Sequence, residues 1–300
     1  MFIMNIYDCF MFSDEFMLLE LRMRILSKFV DKFVISEARY LHNGDKKELN
    51  FDINKFKEFK NKIEYIVVKD QPPNILSIKN NDDSAELSRK KIINSILRDN
   101  YQRESLNEVI KNINNNDLIF ISDLDEIPKL NDLNLDDVND EILIFNQKMF
   151  YYKFNLYYEN FIWHGSKCIR KKNFISPQWL RNIKSKNYPK WRIDTFFSKK
   201  KYNNIKFIED GGWHFTCIKK PKDIHKKLLT FAHHQDYEES NINLNQLEEK
   251  ILQKKVLYDH NKDKENRSKW FAEITLKKID TNLLPDEIVN SKIKYKDWID

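Results

Sequence analysis

The chain has 300 residues, 41% hydrophobic and 13% aromatic, enough to bury one large core and to exclude global disorder. Its 52 Lys and Arg against 46 Asp and Glu leave a net charge of +6, with the signs interleaved. That is the pattern of a solvated surface; it suits phosphorylated ligands and lacks the concentrated basic stripe of a nucleic-acid binder.

Three scattered cysteines, Cys9, Cys168 and Cys217, exclude a disulfide framework and a zinc knuckle and fit a reducing compartment. The apolar start MFIMNIYDCFMF is short, is interrupted by Asp8 and has no basic flank, so it makes a poor signal peptide. No other run reaches the length of a membrane span. A soluble cytoplasmic protein is expected, with peripheral contact to a membrane surface left open.

In chain order, residues 2–7 read as a strand. Ser13 then caps a helix that carries Asp14 and Glu15 in its first turn and runs to about residue 28. A strand over 32–38, a turn at 43–45, a short helix near 54–61 and a strand over 63–70 follow. A long helix is predicted over about 83–112, opened by Asp83 and Glu86 at capping-box spacing. The segment DLIFIS, 117–122, is a short strand running directly into Asp123. This βαβαβ order implies a parallel sheet with crossover helices, whose ligands bind beyond the carboxyl ends of the strands.

The second half differs. Residues 142–174 are strand-like and rich in aromatics, 204–209 form a strand, and helices are expected at about 221–232 and 244–258. The predicted architecture is α/β, a central mostly parallel sheet flanked by helices, with a mixed second half and a helical tail. A catalytic domain over 1–240 would carry an extension over 241–300 packed on it.

Two segments carry chemistry. In ISDLDEIPK, Asp123, Asp125 and Glu126 follow an apolar strand at once. Two carboxylates two residues apart can face one hard cation, Mn²⁺ or Mg²⁺, which fills its other positions with phosphate and water. Such a cation would offset the charge on a departing nucleoside diphosphate. The plainer reading is an acidic loop that caps a following helix. In EDGGWHF, Asp210 could take a proton from an acceptor hydroxyl, Trp213 could stack on a sugar face, and His214 could complete a metal site. Singly, each is better read as turn, core or satisfied histidine; their clustering shifts the balance. The pairs His233-His234 and Trp191-Arg192 are weaker candidates, and the rings between Phe150 and Trp163 read first as core, with a few left for an acceptor site.

The segments YDCFMFSDEFMLLELRMRIL, DKFVISEARYLHNG, the helix with Asn100-Tyr101-Gln102-Arg103, ISDLDEIPK and DGGWHF occur in the order that resembles glycosyltransferase family 17, over roughly residues 3–235. The resemblance implies a GT-A-like nucleotide-sugar fold, a sugar nucleotide donor with UDP-GlcNAc foremost, a glycan or polysaccharide-precursor acceptor, and inversion at the anomeric carbon. It implies that Asp123 and Asp125 hold the metal with Glu126 beside them, that Asp210 and His214 belong to a D-x-G-W-H motif, and that Glu37 lies near the base or ribose. Arg103 would reach the diphosphate or hold the acidic loop. Unlike the animal members, the chain is expected to have no membrane anchor or stem. Competing readings are a metal-dependent nucleic-acid enzyme, a non-catalytic sugar-binding protein, and a nucleotidyltransferase; the last usually needs a glycine-rich loop, and residues 1–30 contain no glycine.

Overall fold

The computed structural model describes residues 4–186, 188, 198, 201–202, 204–232, 234–262 and 267–300. The first strand, β1, is Ile6–Phe12. It continues through Asp8 because that carboxylate is buried and paired with Arg22, so a charge that reads as a strand end becomes part of the core. Helix α1, Phe16–Leu26, begins after the acidic pair, and no side chain caps it. Asp14 and Glu15 instead meet Lys219 and Lys227.

Strands β2 (Lys32–Ala38) and β3 (Ile63–Val68) follow, then helix α2 (Ser84–Glu104). Asp83 caps α2 by accepting from the Glu86 amide. The predicted long helix breaks at Ser105-Leu106, and a short α3, Asn107–Ile110, completes it. The break has a polar cause: the Ser105 hydroxyl donates to the Gln102 carbonyl and contacts the Ser36 hydroxyl of β2.

Strand β4, Leu118–Asp123, precedes the acidic turn, and the three-residue β5, Glu126–Pro128, comes immediately after it. The aromatic stretch forms a hairpin, β6 (Ile142–Tyr151) and β7 (Leu156–Arg170). Helix α4 is Pro177–Asn182, β8 is Ile205–Ile208 and β9 is Gly212–Thr216. Short helices α5 (Pro221–Leu228), α6 (His234–Ser240) and α7 (Leu244–Leu252) lead into the tail.

The sheet order is β3-β2-β1-β4-β7-β6-β9-β5, with β8 beside β6. Strands β3, β2, β1 and β4 are parallel, and β7 pairs antiparallel with both β4 and β6. The sheet is therefore mixed in its second half, as its hairpin requires. Alternation along β4 feeds two cores: Leu118 and Phe120 pack with α1, while Ile119 and Ile121 pack with Leu106, Ile110 and Leu180. A third cluster joins Met149, Tyr151 and Tyr158 to Leu247, Val256 and Trp270, so the segment after 240 covers the hairpin.

Candidate active site

The turn between β4 and β5 is held against β9, which joins the two segments that carry chemistry. Glu126 lies opposite His214, Ile127 opposite Trp213 and Pro128 opposite Gly212, and the Phe215 amide donates to the Asp125 carbonyl at 2.9 Å. Gly212 has φ +124°, and a Cβ there would lie 2.2 Å from the Ile127 carbonyl oxygen. The glycine thus serves a close approach of strand to strand rather than of backbone to ligand.

Three arginines grip the acidic turn. Arg22 is fully buried on α1. It donates to both oxygens of Asp8, to the Ser122 hydroxyl and, through Nη1, to the carbonyls of Asp123, Leu124 and Glu126 at 3.1, 3.2 and 2.8 Å. Those three carbonyls converge on one buried guanidinium, which fixes the backbone of the turn. Arg103 of α2 donates to Asp123 Oδ1 at 3.1 Å and is itself held by Asp99 and Gln178. Arg181 of α4 donates to Asp123 Oδ2 and to both oxygens of Glu126, each at 2.7 Å.

Each of the three acids is placed differently by this network. Both Asp123 oxygens accept from guanidinium groups. Burial would raise its pKa, but the charges of Arg181 and Arg103 prevail and hold the carboxyl well below the usual range. Glu126 is fully buried and accepts from Arg181, the Asp123 amide and the Trp163 indole, so it is a brace without a free lone pair for catalysis. Asp125 is the acid of the three that no arginine engages among the described residues: it is 15% exposed, less than Asp123 at 36%, and stands 3.6 Å from His214 Nε2.

Other expected residues lie elsewhere. Glu37 is fully buried, and its oxygens accept from Lys47, the Asn50 and Phe51 amides and the Tyr65 hydroxyl. It therefore ties the 47–51 loop to β2 and cannot also bind a ribose directly. Arg103 follows the second of its two expected roles, holding the acidic loop. Trp213 faces the side of β9 opposite His214 and donates to the Leu283 carbonyl of the tail. Asp210 sits beyond Pro128, away from the acidic turn, 56% exposed and paired with Lys129 and Lys148. Partial burial raises its pKa, but the hydrogen bonds from the two lysines outweigh this and lower it, which weakens it as a base. His234 is buried against Ser95 and the Phe231 carbonyl, while His233, Trp191 and Arg192 lie outside the described residues.

Sequence reasoning missed Arg22, Arg181 and Trp163. No local pattern marks them, since each acts on a turn about 40 to 100 residues away in the chain. Around Asp125 the wall is otherwise aromatic and basic. His260, from the tail, packs among Tyr258, Phe161 and Trp163. Its burial, reinforced by the charge of His214, lowers its pKa to about 3, so it stays neutral. Glu15 pairs with Lys227 at 3.1 Å.

The residues fit a divalent cation only in part. Among the described residues no group of three or more His, Cys, Asp or Glu side chains converges on one point. Asp123 and Glu126 are engaged with arginine, which leaves Asp125 and His214. Two protein groups suffice for a hard ion that completes its shell with water and substrate phosphate.

The family model for glycosyltransferase family 17 matches residues 3–296, thus extending through the tail. No curated protein matches the chain. Among solved structures, a 2-C-methyl-D-erythritol 4-phosphate cytidylyltransferase from Francisella tularensis aligns at 12% identity with a TM-score of 0.27, over 76% of this chain and 100% of its own. At that score the likeness says nothing about this chain's function. No helix among the described residues is long and apolar enough to cross a membrane.

Proposed function

The chain belongs to glycosyltransferase family 17, and from that premise we propose that it transfers a sugar, with GlcNAc from UDP-GlcNAc foremost, to a hydroxyl of a glycan or polysaccharide precursor, inverting the anomeric centre with help from Mn²⁺ or Mg²⁺. Membership of the family implies a sugar donor and an acceptor. The donor, the acceptor and inversion are carried over from the family resemblance; the cation rests on the site's chemistry. The observation that carries it is the acidic turn at the carboxyl end of β4, whose carbonyls Arg22 pulls inward while Asp125 faces His214. In a parallel sheet that is where a ligand's phosphates are received.

Asp125 and His214 would hold the cation. When bound it would neutralise the charge developing on the leaving nucleoside diphosphate. The chain's own groups supply the setting. Arg22, Arg103 and Arg181 fix the turn before substrate arrives, so no reorganisation is needed during transfer. The partly buried aromatic wall of Trp163, His260 and Phe161 restricts water on one side. Asp210, held by two lysines at the other end of β5, is not proposed as the base.

The test is calorimetric titration with UDP, UDP-GlcNAc, GDP and GDP-mannose, with and without Mn²⁺, on the native chain and on Asp125→Ala. Metal-dependent binding of one nucleotide class that Asp125→Ala loses supports the reading, and NMR of the product then reports the anomeric configuration. Absence of binding to all four, with and without metal, sinks it.

A further inference from the structure

We infer that Trp163 is a positioning residue for His214: its indole, anchored by Glu126, sets the plane of an imidazole that no hydrogen bond among the described residues fixes. The inference rests on the metal-site reading of Asp125 and His214 and adds to it the device that holds the histidine.

Three contacts grip the indole. Its Nε1 donates to Glu126 Oε1 at 2.6 Å. Its ring lies against the His214 ring at a centroid distance of 4.6 Å and an angle of 30°. His260 meets it edge-on at 5.8 Å and 82°. Glu126 in turn is held at both oxygens by Arg181.

His214 needs such a clamp. A ligating histidine ordinarily donates its second ring N–H to a carboxylate, carbonyl or water, and that bond fixes the ring. Here Nδ1 is buried with no hydrogen-bond partner among the described residues, and Nε2 stands 3.6 Å from Asp125, beyond hydrogen-bond length. Neither nitrogen therefore restrains the torsion about Cβ–Cγ, which is intrinsically broad. A flat surface close against the imidazole restricts that freedom, and the indole supplies it at a 30° inclination. The indole orients its face by the bond to Glu126, so the brace formed by Arg181 and Glu126 reaches His214 through a ring.

The experiment measures Mn²⁺ alone by electron paramagnetic resonance, and the His214 imidazole by ¹⁵N NMR in metal-free protein, for native chain, Trp163→Phe and Trp163→Ala. Trp163→Ala is expected to weaken Mn²⁺ about 10- to 100-fold and to broaden or split the His214 signals. Trp163→Phe keeps a face but loses the anchor, so its loss is smaller, a few-fold, and it carries the test if the alanine variant does not fold. Folded variants with native Mn²⁺ affinity and unchanged imidazole signals overturn the inference. A native chain that binds no Mn²⁺ overturns the metal reading instead. The NMR comparison then decides the positioning role alone, unchanged signals refuting it and broadened ones supporting it.

Discussion

Arg181 meets Glu126 fork to fork, Nη1 to Oε2 and Nη2 to Oε1, both at 2.7 Å. The carboxylate is fully buried and the guanidinium 17% exposed, so this pair is the rigid floor beneath the acidic turn. Substituting one member leaves the other buried and uncompensated. Glu126→Gln or Arg181→Met should each cost about 3–5 kcal/mol, read as a fall of roughly 5–8 °C in Tm. The double variant should recover part of that loss. A single variant melting with the native chain would show the pair to be dispensable.

Asp123 and Asp125 are two residues apart and should respond oppositely. Asp123→Asn removes the partner of two guanidinium groups and should lower Tm by several degrees. Asp125→Asn breaks none of the arginine contacts and should leave Tm within about 2 °C, while abolishing transfer. Equal loss of stability in both variants would mean that Asp125 is also structural.

Asp210→Asn should lower kcat less than tenfold, because the residue lies at the far end of β5 in a surface cluster with Lys129 and Lys148. Steady-state kinetics at saturating donor measure this. A loss of a hundredfold or more with donor affinity intact would return Asp210 to the role of base.

Glu15 predicts a pH dependence of stability. Burial raises its pKa, but the charges of Lys227 and Lys219 dominate and lower it to about 2 from an ordinary 4.5. The fold therefore favours the ionised form. Its contribution is complete above about pH 4.5 and is lost as pH falls toward 2, amounting to at most about 3 kcal/mol. Urea melts of native chain and Glu15→Gln should differ above pH 4.5 and converge near pH 2. A constant difference across that range would assign the effect to packing.

The sequence by itself determined the parallel first half. Runs such as KFVISEA and DLIFIS are apolar on both faces and alternate with amphipathic helices, and that order leaves few ways to bury them. It also marked the acidic turn, because a strand that ends in three near-consecutive carboxylates stands out locally. The limits of β1 and of the long helix were misread where a polar group's partner was remote. Asp8 continues its strand only because Arg22 neutralises it, and Ser105 breaks its helix where it meets Ser36.

Only the tertiary structure decided which acid is free. Nothing in DLDE distinguishes Asp123 from Asp125. The difference arises because Arg103 and Arg181 arrive from α2 and α4 on one side of the turn, while β9 brings His214 to the other. Likewise the DGGWHF segment looks like one site but divides. Successive residues of β9 point to opposite faces, so His214 turns to Asp125 while Trp213 turns to the tail, and Asp210 remains with its lysines.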